Sequence, residues 1–178
     1  MAEADTTARS GPSVHHHSVI DGDKLITRNE LVAIRHADLD RVFVFTNGCF
    51  DLLHRGHVEY LQQARAQGDC LAVGLNDDSS VRALKGSGRP LVPQGDRAVL
   101  LAALACVDYV CIFSGASVEP LVADLLPDVL VKGGDYVREE IVGRHIVEAH
   151  GGQVQALPLC RGQSSSALVR RIKNLPDE

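Results

Sequence analysis

The sequence has few aromatic residues and no long apolar run. Its 178 residues include four Phe, three Tyr and no Trp, so no aromatic cluster locates an interface with another protein. No hydrophobic stretch is long enough to span a membrane. Residues 1–14 lack a basic region followed by an apolar one, which argues against a secretory signal. These absences predict a cytoplasmic protein.

Charge and cysteine usage exclude further classes. The net charge is -5 and the sequence has no basic stripe, which argues against a nucleic-acid partner. The five cysteines are odd in number and form no C-x-x-C pair; they are Cys49, Cys70, Cys106, Cys111 and Cys160. Neither a disulfide framework nor a zinc site fits this spacing. We therefore expect buried, reduced thiols.

The N-terminal segment differs from the rest of the chain. Residues 1–22 are polar and without periodicity, which predicts a disordered tail. The run His15-His16-His17 lies in this tail; we interpret it as solvated, with weak metal binding as the alternative. Residues 23–178 are predicted to form a single domain.

Short apolar segments alternate with helical patterns along that domain. The predicted strands are residues 42–45, 71–75, 109–113, 129–131 and 154–157. The predicted helices are residues 27–36, 57–67, 78–84, 93–105, 119–126, 139–149 and 164–173. Because every strand is apolar and is followed by a helix, the pattern predicts the α/β class: a Rossmann-like, doubly wound, five-stranded parallel sheet. Such a sheet binds ligands beyond the carboxyl ends of its strands, where strand order reverses.

The first predicted strand runs into the sequence T-N-G-C-F-D-L-L-H-R-G-H at residues 46–57, where a helix begins. Free backbone N–H groups and the positive end of the helix dipole favour a phosphate at such a turn. Gly48 and Gly56 let the backbone approach a ligand. His54 and His57 can each donate a hydrogen bond to phosphate oxygens. The alternative is that one histidine caps the helix while the other packs.

This turn resembles the signature of the cytidylyltransferase-like nucleotidylyltransferases, and the resemblance extends over about residues 24–173. Further similar stretches are V-G-L-N-D-D, L-K-G-S-G-R-P, V-D-Y-V, V-K-G-G-D-Y and S-S-S, which begin at residues 73, 84, 107, 131 and 164. The lysine-glycine stretches resemble the heptose 1-phosphate adenylyltransferase branch, found as a stand-alone enzyme or as the second domain of a bifunctional ADP-heptose synthase. The resemblance implies transfer of a nucleoside monophosphate, in the first instance AMP from ATP, to D-glycero-D-manno-heptose 1-phosphate with release of pyrophosphate.

The resemblance also implies roles for individual residues. His54, His57 and Lys85 would contact the reacting phosphates. The nucleotide-binding set is Thr46, Asn47, Gly48, Cys49, Phe50, Gly56, Gly134, Asp135, Arg161, Ser164, Ser165 and Ser166. The acceptor-binding set is Asp51, Asn76, Lys85, Arg89 and Lys132. Mg²⁺ is expected with the triphosphate, and because the sequence shows no carboxylate cage, phosphates and waters would hold most of it.

Several of these residues have simpler interpretations. Lys85 fits a solvated surface lysine, and Asp51 fits a turn cap. Asp78 is predicted to cap the following helix. Arg97 faces either the cleft or the surface. The serines at 164–166 predict a second anion site at a helix start, although an ordinary N-cap needs only one serine.

Other functions stay open at this point. One keeps the chemistry and changes the acceptor, as in glycerol-3-phosphate cytidylyltransferase or another sugar-phosphate enzyme; the base and the anomer are also open. Another is a catalytically inactive nucleotide-binding regulatory module, which the presence of His54, His57 and Lys85 argues against. A dinucleotide-binding oxidoreductase is disfavoured because no G-x-G-x-x-G follows the first strand. The resemblance further implies a homodimer.

Overall fold

The structure, a computed structural model, describes residues 24–134, 140–158 and 164–176. The predicted tail and the run His15-His16-His17 lie outside these residues. The elements in the described part are α1 Arg28–Ala37, β1 Phe43–Gly48, α2 Arg55–Arg65, β2 Cys70–Asn76, α3 Asp78–Lys85, α4 Gln94–Ala102, β3 Tyr109–Phe113, α5 Glu119–Leu125, β4 Val129–Gly133, α6 Arg144–Ala149, β5 Gln153–Leu157 and α7 Ser165–Lys173. None of the described helices has the length and apolar character needed to cross a bilayer.

The five strands form one parallel sheet in the order β3-β2-β1-β4-β5. The chain winds outward from β1 through β2 to β3, and then crosses back to place β4 on the other side of β1. Strand order therefore reverses between β1 and β4, where crossover connections leave in opposite directions and open a crevice. The predicted α/β, Rossmann-like, doubly wound sheet is confirmed.

The core consists of two layers, one on each face of the sheet. Phe43 and Phe45 of β1 point into one layer, whereas Val44 between them packs with Leu61 of α2 and Leu101 of α4 in the other. All of β2 is buried, which explains why its sequence is a continuous apolar run rather than an alternating one. Burying each large aliphatic side chain contributes about 1.5–3 kcal/mol, so these layers hold the sheet edge rigid.

Local signals account for most element boundaries. Thr27 and Glu30 form the reciprocal capping box that starts α1. The prediction of a helix over 139–149 is wrong at its start, because α6 begins only at Arg144. Gly143 precedes it with φ +87°, a left-handed conformation that ends helical winding there. A Cβ at Gly143 would lie 3.0 Å from the Val122 side chain, so the glycine also allows close packing against α5.

Candidate active site

A cleft of about 450 Å³ lies over the carboxyl ends of β1 to β4, at the point where strand order reverses. Many of its lining residues belong to the predicted set: Asn47, Gly48, Cys49, Phe50, Asp51, His57, Asn76, Lys85, Lys132 and Ser165. These residues come from β1, β2, α3, β4, α7 and the turn into α2. The sheet therefore gathers into one cavity groups that are far apart in the sequence.

The turn from β1 into α2 presents the start of a helix to this cleft. His54 is the N-cap of α2, with extended backbone angles, but its side chain makes no capping hydrogen bond. The alternative that the His54 side chain caps the helix is therefore wrong. No acidic residue lies in the first turn of α2. The positive end of the helix dipole is consequently left without an internal counter-charge, which favours an anion there.

His54 and His57 form a stacked pair on this turn. Their ring centroids are 3.9 Å apart and their planes differ by 23°. Both Nδ1 atoms are buried and have no hydrogen-bond partner in the described structure. Burial lowers the pKa of His54. Burial, with the nearby His54 and Lys85, lowers the pKa of His57 to about 4. Both shifts favour the neutral form of the ring, in which each imidazole carries one N–H donor and one acceptor.

Phe50 and Gly48 shape the same turn. Phe50 has φ +44°, in the left-handed region that non-glycine residues rarely adopt. Its buried ring meets the His57 ring edge-on, with centroids 5.3 Å apart. A Cβ at Gly48 would lie 3.0 Å from the Phe50 ring, so the glycine makes room for that ring. Phe50 thus contributes to the site by supporting His57.

Two lysines border the cleft from opposite sides. Lys132 of β4 donates from Nζ to Oδ1 of Asn47 at 3.0 Å and to its carbonyl oxygen at 3.1 Å, and so ties β4 to β1 across the crevice. Burial lowers the pKa of Lys132. Lys85, at the end of α3, is exposed and lines the same cleft. Its charge contributes to the lowered pKa of His57, so the two groups lie near each other.

Asp51 and Arg89 form an ion pair with each other and so are not separate charged groups in the cleft. The Asp51 Oδ2 atom is 2.6 Å from Nε of Arg89. Its Oδ1 accepts from the backbone N–H groups of Leu91 at 2.7 Å and Val92 at 3.1 Å. Asp51 is almost fully buried, at 2% exposure. The predicted contacts of Asp51 with the acceptor and of Arg89 with a phosphate would require this ion pair to open.

The end of β2 corrects two predictions. Asp77, not Asp78, caps α3, because its side chain accepts from the N–H of Ser80 at 2.7 Å. Asp78 is instead paired with Arg97 at 2.7 Å. Arg97 was expected to face the cleft or the surface, but it is fully buried. Asn76 lines the cleft as predicted, and its carbonyl oxygen accepts from Arg97 at 2.9 Å.

Thr46 and Gly56 lie behind the cleft rather than in its lining. The Thr46 hydroxyl is 2.5 Å from the Tyr60 hydroxyl and is completely buried, because this position of β1 faces the core layer under α2. Its side chain therefore faces away from the cleft, and the nucleotide-binding role of Thr46 stays a prediction. Gly56 is buried in the first turn of α2. Both residues serve the shape of the turn.

The three serines divide into different roles. Ser164 is the N-cap of α7, and its side chain accepts from the N–H of Ala167 at 3.0 Å. Ser165 lines the cleft and donates to the carbonyl oxygen of Leu52 at 3.0 Å, which ties α7 to the turn before α2. Ser166 is exposed. Ser164 is thus an ordinary N-cap, whereas Ser165 at the start of α7 lines the cleft.

Gly134 lies just after β4, with φ +134° and its N–H donating to Leu157 at 3.0 Å. Asp135 and Arg161, the remaining predicted nucleotide-binding residues, lie outside the described residues.

One wall of the cleft was not predicted; its residues are Leu84, Phe113, Ala116, Ser117, Val118, Glu140, Ile141 and Val142. Phe113 ends β3 at the same sheet edge. The rule that ligands bind beyond the carboxyl ends of parallel strands, which placed Asn76 in the cleft, therefore applied to Phe113 as well.

The described residues do not build a metal cage. Among them, no three His, Cys, Asp or Glu side chains are grouped so as to hold a metal ion. The acidic groups nearest the turn, Asp51 and Asp78, are each paired with an arginine. These residues fit a metal ion that binds together with a phosphate ligand and retains its water ligands. They do not fit a metal ion bound mainly by protein carboxylates.

The chain matches the cytidylyltransferase-like family over residues 45–171. It is 47% identical over 159 residues to the bifunctional protein HldE of Syntrophotalea carbinolica, covering 88% of this chain and 32% of that protein. It is 55% identical over 131 residues to the bifunctional protein HldE of Pseudomonas fluorescens, covering 74% and 28% respectively. The chain thus spans about a third of the length of these curated relatives.

Solved structures support the same assignment. The lipopolysaccharide core biosynthesis protein of Thermoplasma volcanium superposes with a TM-score of 0.57 at 25% identity, covering 69% of this chain and 99% of that one. The pantoate-beta-alanine ligase of Francisella tularensis superposes with a TM-score of 0.62 at 16% identity, covering 86% and 73%, and shows the shared fold alone. With the family match over most of its length and the H-x-G-H turn at its cleft, the chain belongs to the cytidylyltransferase-like family.

Proposed function

We propose that this chain transfers AMP from ATP to the phosphate of D-glycero-D-manno-heptose 1-phosphate and releases pyrophosphate. The observation that carries the proposal is the stacked pair of His54 and His57 at the start of α2, where no acidic residue lies in the first turn and where His57 lines the same cleft as Lys85. The heptose acceptor is supported by the lysine-glycine stretches of the sequence and by the high identity to bifunctional HldE proteins.

The chemistry is an in-line displacement at the α-phosphorus of the nucleotide. An oxygen of the acceptor phosphate forms the new P–O bond while the bond to the β-phosphate bridging oxygen breaks, and that electron pair leaves with pyrophosphate. Negative charge must be stabilised on the oxygens around the α-phosphorus. Fixed donors that strengthen as this charge develops lower the barrier, because they need no reorganisation during the reaction.

The histidine pair is suited to that task because it is held neutral and rigid. Each ring offers one N–H donor, and stacking fixes the direction of both. Two imidazolium ions at this spacing would repel each other, which is one cause of the low pKa of His57.

Lys85 supplies the mobile charge that the neutral histidines lack. It lies at the end of α3, is exposed, and faces the same cavity. A lysine ammonium has three donors on a flexible stem, so it can contact the acceptor phosphate and the α-phosphate together. Bringing two anions into contact is the main electrostatic obstacle to this reaction, and a shared cation reduces it.

We also propose Mg²⁺ as cofactor, since it neutralises triphosphate charge when bound. The cleft offers Asn47, Ser165 and Glu140 as oxygen ligands or as partners of metal-bound waters. His54, His57 and Lys85 would then bind phosphate oxygens rather than the metal.

A substrate panel tests the proposal. Pyrophosphate release is measured with Mg²⁺ for ATP, CTP, GTP and UTP against both anomers of the heptose phosphate and against glycerol 3-phosphate. Release with ATP and one heptose anomer supports the full proposal. Release only with another pair keeps the reaction class and overturns the substrate. Folded protein that binds nucleotide but releases no pyrophosphate with any pair supports the inactive regulatory module instead.

A further inference from the structure

Arg97 is the largest fully buried side chain in the described residues, and its guanidinium binds three separate stretches of the chain. Its Nε donates to the carbonyl oxygen of Val92 at 2.9 Å. Its Nη1 donates to the carbonyl oxygens of Cys49 at 2.5 Å and Asn76 at 2.9 Å. Its Nη2 donates to Asp78 Oδ1 at 2.7 Å. Most of its donors are therefore used, and they hold the ends of β1 and β2, the start of α3 and the loop before α4.

One branch of these contacts leads to the histidine pair. The carbonyl oxygen of Cys49 bound by Arg97 directly precedes Phe50, whose φ of +44° is a strained backbone conformation. The Phe50 ring in turn meets His57 edge-on. A hydrogen bond that fixes the peptide before a left-handed residue also fixes the direction of that residue's side chain. Arg97 thereby supports the ring against which His57 packs.

A second branch leads to Lys85. Arg97 pairs with Asp78 in the first turn of α3, and Lys85 ends that eight-residue helix. The loop between α3 and α4 is bound by the same arginine at Val92, while Asp51 binds the neighbouring N–H groups of Leu91 and Val92. The helix with Lys85 and the loop that follows it are thus attached to the segment 49–51 from both sides.

We propose that Arg97 is a positioning residue that sets the placement of Lys85 relative to His57. The inference rests on the proposed function, because it assumes that these two groups act on the same pair of phosphates. Arg97 is not among the described residues that line the cleft. Its contribution is to keep the turn before α2 and the helix α3 in one geometry, and a misplacement of about 1 Å in such an arrangement costs on the order of 100-fold in rate.

Arginine is needed here because of its shape. A planar guanidinium directs donors to carbonyl groups on two sides and to a carboxylate at once, whereas a lysine ammonium reaches a subset of them. Arg97→Lys keeps the charge that Asp78 requires and loses the fixed directions. It is therefore the variant that separates positioning from simple charge balance, because it still offers a cation to the half-buried carboxylate of Asp78.

Arg35→Lys is the matched control. Arg35 is also buried, at 7% exposure, and also joins a carboxylate, Asp128, to a backbone carbonyl, Leu126. It lies at the opposite, amino-terminal edge of the sheet. Both lysine variants should lower stability in denaturant unfolding, but only Arg97→Lys should lower kcat per folded molecule, by roughly 10- to 100-fold. Its KM for the nucleotide should change less than its kcat.

Two further readouts make the inference falsifiable. In a double-mutant cycle, the fold-loss from Arg97→Lys should be smaller in a Lys85→Ala background, since the positioned group is already absent. Histidine titration by NMR needs no turnover: the low pKa of His57 should rise toward its ordinary value in Arg97→Lys and stay low in Arg35→Lys, because a loosened turn admits water to the ring.

The outcomes are distinguishable. Folded Arg97→Lys with the kcat and the His57 pKa of the unmodified protein would overturn the inference. Equal loss of kcat in both lysine variants would also overturn it, since it would show an effect of stability alone. If the unmodified protein releases no pyrophosphate with any substrate pair, the proposed function fails, and the His57 titration still decides whether Arg97 holds the turn.

Discussion

The two edges of the sheet differ in how fully the hydrogen bonds of their polar groups are satisfied. At the amino-terminal edge, carboxylates accept the N–H groups that begin strands: Asp128 binds Phe43 at 2.7 Å, and Asp108 binds Leu71 at 2.8 Å. At the carboxyl-terminal edge, both Nδ1 atoms of the histidine pair are buried without a hydrogen-bond partner among the described residues, whereas among the side-chain atoms at the amino-terminal edge the same holds only for Nη1 of Arg35. Since leaving a buried polar group unpaired costs about 1–3 kcal/mol, the second edge retains binding capacity at the expense of stability. The first edge stabilises the fold, and the second is arranged for a ligand.

The largest effect is expected from removing one donor at the carboxyl-terminal edge. His57→Ala should lower turnover by roughly 100-fold or more while the fold persists, by analogy with removal of a single donor to a developing oxyanion. Steady-state pyrophosphate release, with circular dichroism to verify folding, measures it. Full activity in the folded variant would contradict the role of the pair.

Lys85→Ala should come next. Loss of the shared cation should lower kcat and raise the KM for the acceptor together, by roughly 10-fold or more in kcat/KM. Arg82→Ala is the control, because Arg82 is exposed on the same helix and does not line the cleft. Equal kinetics for the two variants would show that neither Lys85 nor the loop that follows it belongs to the active site.

The amino-terminal edge should show the reverse pattern. Asp128→Asn weakens the charged hydrogen bond to Phe43 and the ion pair with Arg35, and should lower the free energy of unfolding by about 1–3 kcal/mol. Urea unfolding gives this value, and kcat should remain that of the unmodified protein. A large fall in kcat without loss of stability would show that the two edges are not functionally separate.

The last prediction concerns the pH dependence of stability. The folded pKa of His57 is about 4, below the ordinary value of 6.5. Between these values the unfolded chain binds more protons than the folded one, so stability should fall as pH decreases from 6.5 towards 4. His57→Gln should reduce this loss when unfolding is compared at the two ends of that window. An unchanged pH dependence would show that His57 is not held neutral by the fold.

The same contrast explains what the sequence could predict. The strand pattern and the H-x-G-H turn follow from local periodicity and glycine placement, and they led correctly to the sheet, to its switch point and to the position of His57. Asn76 and Lys132 were placed at the cleft because each ends a strand. These residues needed only the rule that parallel strands finish at one edge.

The errors came from contacts between distant segments. Arg97 carries no sequence signal for burial, since charged residues are seldom fully buried unless paired, and its partners lie 5 to 48 residues away. Nothing local predicts the pairing of Asp51 with Arg89, and the contact of Asp51 with the acceptor stays a prediction. Strand alternation places the Thr46 side chain in the core, and the nucleotide-binding role of Thr46 also stays a prediction. Roles for Asp135 and Arg161, the homodimer and the cytoplasmic location stay predictions.

The most direct test of the account is a single-turnover reaction with ATP labelled at the α-phosphate and D-glycero-D-manno-heptose 1-phosphate, followed with the unmodified protein and with His57→Ala. The account predicts that label moves to a nucleotide sugar with an equal amount of pyrophosphate, that none remains on the protein, and that the variant slows this step. Label retained covalently on the protein, or equal rates for both proteins, would contradict direct transfer at the His54–His57 pair.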